Sequence, residues 1–350
     1  MPVRVLIVDD SAFMRSALGK MLSSDPEVEV AGTARDGLDA LDKVVQLKPD
    51  LVTMDVEMPR MDGIEALRRI MASNPVPVIM VSSLTMAGAK ATLEALEIGA
   101  VDFIPKNLSD LSINIVNIRE ILLEKVKQIG RRRIVPPRRF TAVRPEASPP
   151  RPDPSGYRIE RRIGIVAIGT STGGPKALQE VLPKLPKEFP VPVVVVQHMP
   201  PAFTGPFAER LNELCRVSVK EAEEGESLKP GVVFVAPGRG HMSIRKGRTG
   251  ECVVSVSENR PDLIYRPSAD VMLASVAEVF PGRALGVILT GMGNDGEKGM
   301  RAIKSGGGRT IAEDESTCVV YGMSRSVVEA GLADKVVPLQ EVAGEIVNAV

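Results

Sequence analysis

The sequence predicts an α/β protein of two domains, the first a doubly wound (βα)5 unit. Three observations carry this reading. The 350 residues exceed the usual size of a single domain. Over about the first 128 residues, five short apolar runs alternate with five helix-like stretches, the pattern of a parallel sheet covered on both faces. The segment 130–158 then breaks the pattern, with seven prolines and eight arginines in 29 residues and no apolar period. Such a segment cannot build a core and reads as a linker. Its arginines could favour an acidic partner.

Composition narrows the function classes. Lys plus Arg equals Asp plus Glu at 44 each, so the chain lacks the positive charge of a dedicated nucleic-acid binder. Aromatics are 3% with no Trp, which argues against base or sugar stacking. Three cysteines and two histidines leave little room for a disulfide scaffold or a Cys- or His-built metal site. The start MPVRVLIVDD lacks the form of a signal peptide, and the longest strong apolar run, Val191–Val196, is strand-sized. A cytoplasmic protein without stable membrane insertion is expected. The zero net charge is itself an average. Residues 1–129 are net −5, 130–158 net +6 and 159–350 net −1.

In the first domain, strands are expected at Arg4–Val8, Val28–Thr33, Leu51–Met54, Val76–Val81 and Val101–Ile104. Helices are expected near Ala12–Leu22, Gly37–Leu47, Gly63–Met71, Gly88–Leu96 and Asp110–Gln128. The last helical stretch could continue into the linker as a semi-rigid arm. Sites in such sheets gather beyond the carboxyl ends of the strands. There stand Asp9 and Asp10 after the first strand, Asp55 after the third, Ser82 after the fourth and Lys106 after the fifth. Converging carboxylates repel unless a cation neutralises them, and Mg²⁺ suits hard oxygen ligands. A hydroxyl and an ammonium can hold phosphoryl oxygens. Asp55 is the candidate nucleophile, since a carboxylate can accept a phosphoryl group.

This set resembles the receiver domain of two-component response regulators. The turn Met58-Pro59 with Asp62-Gly63 also matches, although Pro105-Lys106 reverses the usual order. The resemblance covers about residues 1–125. It implies Mg²⁺ held by Asp9, Asp10 and Asp55, phosphorylation of Asp55, and phosphoryl contacts from Ser82 and Lys106. It also implies a histidine kinase as phosphoryl donor.

The second domain is expected over residues 159–350, after a linker placed at 126–158. Strand Ile163–Ile168 runs into Gly169-Thr170-Ser171-Thr172-Gly173, a G-x-S-x-G turn that exposes the central hydroxyl. Gly174-Pro175 supports an abrupt helix start, whose free N–H groups can stabilise an oxyanion. The strand Val191–Val196 ends at His198, a natural base for a serine hydroxyl. The strand Ala284–Leu289 leads to the glycine-rich Thr290–Gly296 loop with Asp295, which can orient His198. The order Ser…His…Asp differs from that of the α/β-hydrolases, so a different fold is expected.

These segments resemble the catalytic domain of chemotaxis protein-glutamate methylesterases. The resemblance rests on Ser171–Pro175, Gln197–Pro200, Val235–Gly238 with His241-Met242, Arg266–Asp270, Thr290–Gly296 and Tyr321–Met323. Thr170, Arg239-Gly240 and Ser324 depart from the common pattern without removing a candidate catalytic group. His241 could line the cleft or be structural. The resemblance implies a three-layer α/β domain with a mostly parallel sheet, and the triad Ser171, His198 and Asp295. An oxyanion contribution from Met292 is also implied. The implied reaction is hydrolysis of glutamate γ-methyl esters on methyl-accepting chemoreceptors, with deamidation of certain glutamines. Ester hydrolysis needs no cofactor, and recruitment to membrane receptor clusters is expected. A phospho-regulated serine hydrolase acting on another ester or peptide remains the alternative.

Overall fold

The computed structural model describes residues 1–83, 85–106, 115–131, 162–258, 263 and 265–350. Most of the Arg/Pro-rich linker, from 132 to 158, and the expected helix start at Asp110 lie outside these residues.

The first domain is a five-stranded parallel sheet of β1 (Val3–Val8), β2 (Val28–Ala34), β3 (Leu51–Asp55), β4 (Val78–Ser82) and β5 (Asp102–Pro105), in the order β2-β1-β3-β4-β5. Between and after the strands run α1 (Ala12–Leu22), α2 (Gly37–Leu47), α3 (Gly63–Ser73), α4 (Met86–Ile98) and α5 (Ile115–Gly130). The first four helices start where a short polar side chain accepts a first-turn N–H: Ser11, Asp36, Asp62 and Thr85. Strand alternation splits the core. Leu6, Val8, Val52 and Met80 face α2 to α4, while Val5, Ile7, Leu51 and Ile79 face α1 and α5.

Several boundaries shift by one to two residues from expectation, and two of the shifts have a plain physical cause. β4 begins at Val78 rather than Val76, because Pro77 has no N–H for the ladder. α5 continues to Gly130, beyond the 125 expected for the domain, because Val126 and Ile129 are apolar and buried against the receiver-like sheet. That packing leaves α5 part of the first core rather than a free arm.

The second domain contributes β6 (Ile165–Thr170), α6 (Gly174–Val181), β7 (Val193–Gln197), α7 (Pro201–Leu214), β8 (Ser218–Glu221) and β9 (Val232–Val235). A hairpin, β10 (His241–Lys246) and β11 (Cys252–Ser257), follows, then α8 (Ala269–Val279), β12 (Ala284–Ile288) and α9 (Glu297–Ser305). β13 (Arg309–Glu313), α10 (Met323–Glu329), β14 (Lys335–Val337) and α11 (Leu339–Ala349) complete the domain. Seven strands make a parallel sheet ordered β14-β13-β12-β6-β7-β9-β8, and the hairpin is antiparallel. Val166, Ile168, Val193 and Val195 pack towards α6, α7 and α11, while Ile165, Ala167, Val194 and Val196 pack towards α8, α9 and α10. The result is the three-layer arrangement. Chain order reverses at β6, which lies between β12 and β7, so a crevice opens at the carboxyl end of β6. No helix among the described residues is long and apolar enough to cross a membrane.

Candidate active site

The carboxyl edge of the first sheet gathers four of its five expected groups. Asp55 ends β3, and Asp9 follows β1. Lys106 Nζ lies 2.6 Å from Asp55 Oδ2 and 3.3 Å from Asp9 Oδ2. Carboxylate oxygens of Asp9, Asp10 and Asp55 lie within 4.8 Å of one another. Apart from the ammonium contact, Asp9 Oδ2 and Asp55 Oδ2 are buried without a hydrogen-bond partner among the described residues. Burial and the neighbouring Asp9 push the Asp55 carboxyl up to about 6, against the pull of Lys106. Two buried carboxylates with unmet lone pairs fit a hard divalent cation. Ser82 stands at the same edge, and its hydroxyl donates to Gly88 O of α4 at 3.2 Å. Sequence reading passed over the reason for Gly63: a Cβ there would lie 1.8 Å from Asp55 O, so only glycine lets α3 start this close.

In the second domain, the ends of β6, β7 and β12 meet. Ser171 follows β6, and its N–H donates to Thr290 O at 3.0 Å. Its carbonyl accepts from Gly174 N at 2.8 Å and Gln197 Nε2 at 2.9 Å. Gly173 turns the chain into α6 with φ 79°, a left-handed conformation that favours glycine. A Cβ at Gly291 would sit 2.9 Å from Ser171 Cβ, so this position must also stay bare. β6 and β7 pair through Thr170 and Gln197, which brings Ser171 and His198 out side by side, with His198 N bonded to Thr170 O at 3.1 Å.

His198 Nε2 lies 2.7 Å from Asp295 Oδ2. His198 Nδ1 is buried and takes no hydrogen bond among the described residues. Asp295 also accepts from Ser268 Oγ at 2.8 Å, Ala269 N at 2.6 Å and Asp270 N at 3.0 Å. Burial alone would raise its carboxyl, but His198 and these N–H groups outweigh it and hold Asp295 below the usual carboxylate range. Met292 is buried beside the triad loop. His241 is fully buried, and its Nδ1 accepts from Ser268 N at 3.3 Å, so it braces the segment behind Asp295.

Three residues were given no role of their own by sequence reading. Tyr265 stacks on His198 with ring centroids 4.7 Å apart and planes 9° from parallel. Nothing in its local sequence marks it. Thr290 Oγ1 donates to Thr172 O and accepts from Val320 N, tying the serine turn to the next loop. Asp270 accepts from Gly296 N and Gly299 N at the start of α9, a pairing 26 and 29 residues along the chain that no local signal marks.

The two domains touch near this crevice. Phe103 of β5 stacks on Phe203 of α7, with centroids 4.5 Å apart. Arg210 of α7 pairs with Glu97 of α4, Nη2 to Oε2 at 3.0 Å. Met292 and Val320 share an apolar cluster with Ile104, Leu122 and Val126 of the first domain.

Comparisons with known proteins agree with this architecture. Residues 166–346 match the CheB methylesterase family and residues 5–115 the response regulator receiver domain. The chain is 50% identical over 368 residues to a protein from Oleidesulfovibrio alaskensis named protein-glutamate methylesterase/protein-glutamine glutaminase 1, covering 99% of each. It is 46% identical over 350 residues to a protein-glutamate methylesterase/protein-glutamine glutaminase of Pyrococcus abyssi, covering 99% of this chain and 94% of that one. The crystal structure of the Thermotoga maritima CheB methylesterase catalytic domain aligns at TM-score 0.53 with 45% identity, covering 54% of this chain and all of that one. The chain therefore belongs to the CheB methylesterase family and carries a response-regulator receiver domain ahead of its catalytic region.

Proposed function

We propose that Ser171, His198 and Asp295 hydrolyse glutamate γ-methyl esters on methyl-accepting chemoreceptors to glutamate and methanol. The observation that carries this is the partly buried imidazole of His198, bonded to Asp295 through Nε2 with its buried Nδ1 left for a hydroxyl at the neighbouring strand end. With its proton on Nε2, His198 accepts the Ser171 proton at Nδ1 as Oγ attacks the ester carbonyl. The Met292 N–H holds the developing oxyanion. The imidazolium returns that proton to the departing methoxide, which leaves as methanol. Water then gives a proton to Nδ1 and attacks the acyl-enzyme, and Ser171 departs with the proton restored. Glutamine deamidation follows the same course with ammonia as leaving group. Methanol release from methylated receptor tests the assignment, and full activity in Ser171→Ala would overturn it.

Regulation is assigned to the receiver. A histidine kinase is the phosphoryl donor and Asp55 the acceptor. Asp9, Asp10 and Asp55 would hold Mg²⁺, which would supply positive charge against the phosphoryl oxygens. Lys106 pairs with the phosphoryl group, and Ser82 reaches it by giving up its bond to Gly88 O. In the resting protein, the Phe103–Phe203 and Glu97–Arg210 contacts keep the receiver partly over the crevice. Phosphorylation changes the receiver face and loosens this packing. The protein works in the cytoplasm at receptor clusters. Equal esterase rates with and without phosphoryl donor would overturn the regulatory part.

A further inference from the structure

The two helices behind the triad exchange carboxylates. Asp295 stands just ahead of α9, yet its side chain caps α8. Oδ1 accepts from Ser268 Oγ and Asp270 N, and Oδ2 accepts from Ala269 N as well as His198 Nε2. Asp270, in the first turn of α8, returns the arrangement. Its Oδ1 accepts from Gly296 N at 3.0 Å and Gly299 N at 2.8 Å, at the start of α9. Gly296 lies at φ 103° and has no side chain with which to cap its own helix. The first N–H groups of α9 are thus met by a carboxylate 26 and 29 residues away in the chain. The helices also approach closely, since a Cβ on Gly299 would lie 2.4 Å from Leu273 Cβ.

The mechanical consequence concerns Asp295. Its carboxylate is saturated by four donors, so its orientation is set by where α8 begins relative to residue 295. The Asp270 link from α8 to Gly296 sets that separation. We propose that Asp270 is a positioning residue for ester hydrolysis, holding the Asp295 loop against α8 so that Asp295 fixes the His198 imidazole. The inference rests on the reading of Ser171, His198 and Asp295 as catalytic.

The test uses the phosphorylated full-length protein and methanol release from methylated receptor. Asp270→Ala should lower kcat by about 10- to 100-fold, the scale of a misplaced catalytic group, with KM within about twofold. The acid limb of the kcat/KM profile should move to lower pH, because a looser carboxylate stabilises the imidazolium less. Asp270→Asn keeps an Oδ1 acceptor for both N–H groups and should retain most of kcat and the original limb. With two histidines in the chain, imidazole N–H resonances are few. The downfield His198 Nε2–H signal should persist in Asp270→Asn and shift or broaden in Asp270→Ala. Wild-type kcat and limb in Asp270→Ala would overturn the proposal, as would equal losses in both variants or an unchanged resonance in Asp270→Ala. Ser171→Ala runs alongside. If it is inactive while Asp270→Ala is normal, only the positioning role fails; if it is active, the triad reading fails first.

Discussion

His198 presents Nε2, not Nδ1, to Asp295, at 2.7 Å. In the familiar serine-protease triad the aspartate takes Nδ1 and the serine faces Nε2. A carboxylate at Nε2 favours the tautomer with its proton there, which leaves a lone pair on Nδ1. Ser171 and His198 leave adjacent parallel strands side by side, and Nδ1 is the ring nitrogen that Asp295 leaves unbonded.

Asp295→Asn should abolish this assignment. Whichever way the amide turns, its nitrogen cannot accept from either the His198 Nε2–H and Ala269 N–H pair at Oδ2 or the Ser268 hydroxyl and Asp270 N–H pair at Oδ1. The expected loss in kcat is about 10⁴-fold, with KM little changed, as for the equivalent change in a serine protease. Steady-state methanol release measures both.

Tyr265 should hold the base in place. Its ring lies flat on His198 and covers one face of the imidazole. Tyr265→Leu removes that face and should reduce kcat by a few-fold, while Tyr265→Phe stays near wild type. Steady-state methanol release from the three proteins decides this.

The Arg210–Glu97 pair should restrain the resting enzyme only modestly. Both side chains are partly exposed, at 36% and 29%, and such pairs are worth about 0.2–1 kcal/mol. Arg210→Ala should raise the unphosphorylated rate by up to about fivefold and leave the phosphorylated rate unchanged. The exchange Arg210→Glu with Glu97→Arg should restore the resting rate.

Asp55 should make the metal-free receiver less stable as pH rises. Its carboxyl is pushed up from 3.8 to about 6, so between those values the folded state binds more protons than the unfolded one. Stability contributed by this group is present below about pH 4 and lost as pH rises through about 6. Asp55→Asn should flatten this part of the melting-temperature profile, and Mg²⁺ should raise the wild-type melting temperature at pH 7 but not that of the variant. Thermal melts across pH 4–8, with and without Mg²⁺, provide the check.

Gly291 should tolerate no side chain. A Cβ would lie 2.9 Å from Ser171 Cβ and 2.3 Å from Met323 Sδ. Methionine sulfur can yield, whereas the serine backbone is tied to Thr290 and Gln197. Gly291→Ala should keep the fold and lose most of kcat, which circular dichroism and methanol release separate.

Much of both sites was legible because strand ends are local events. Apolar runs, their length and the polar residue that stops them placed Asp55 at the end of β3 and Ser171, His198 and Asp295 beyond β6, β7 and β12. Parallel pairing then carries every such residue to one edge of a sheet, so chain direction alone brings them together. The Pro77 start of β4 and the extension of α5 were less legible, since each turns on a single backbone donor or on burial of two apolar residues.

The sequence by itself determined the two α/β units, the acidic edge of the receiver and the three candidate catalytic residues. Only the tertiary structure decided which imidazole nitrogen meets Asp295, that Tyr265 covers His198, that Ser82 is turned to α4, and that Asp270 and Asp295 exchange helices. It also decided that Phe103 meets Phe203 across the domains. The physical reason is range. Backbone hydrogen bonding and apolar periodicity act over a few residues and can be read along the chain. Side-chain partners, from Ser82 and Gly88 six residues apart to His198 and Asp295 97 apart, are chosen by packing, and the packing exists only once the sheets have formed.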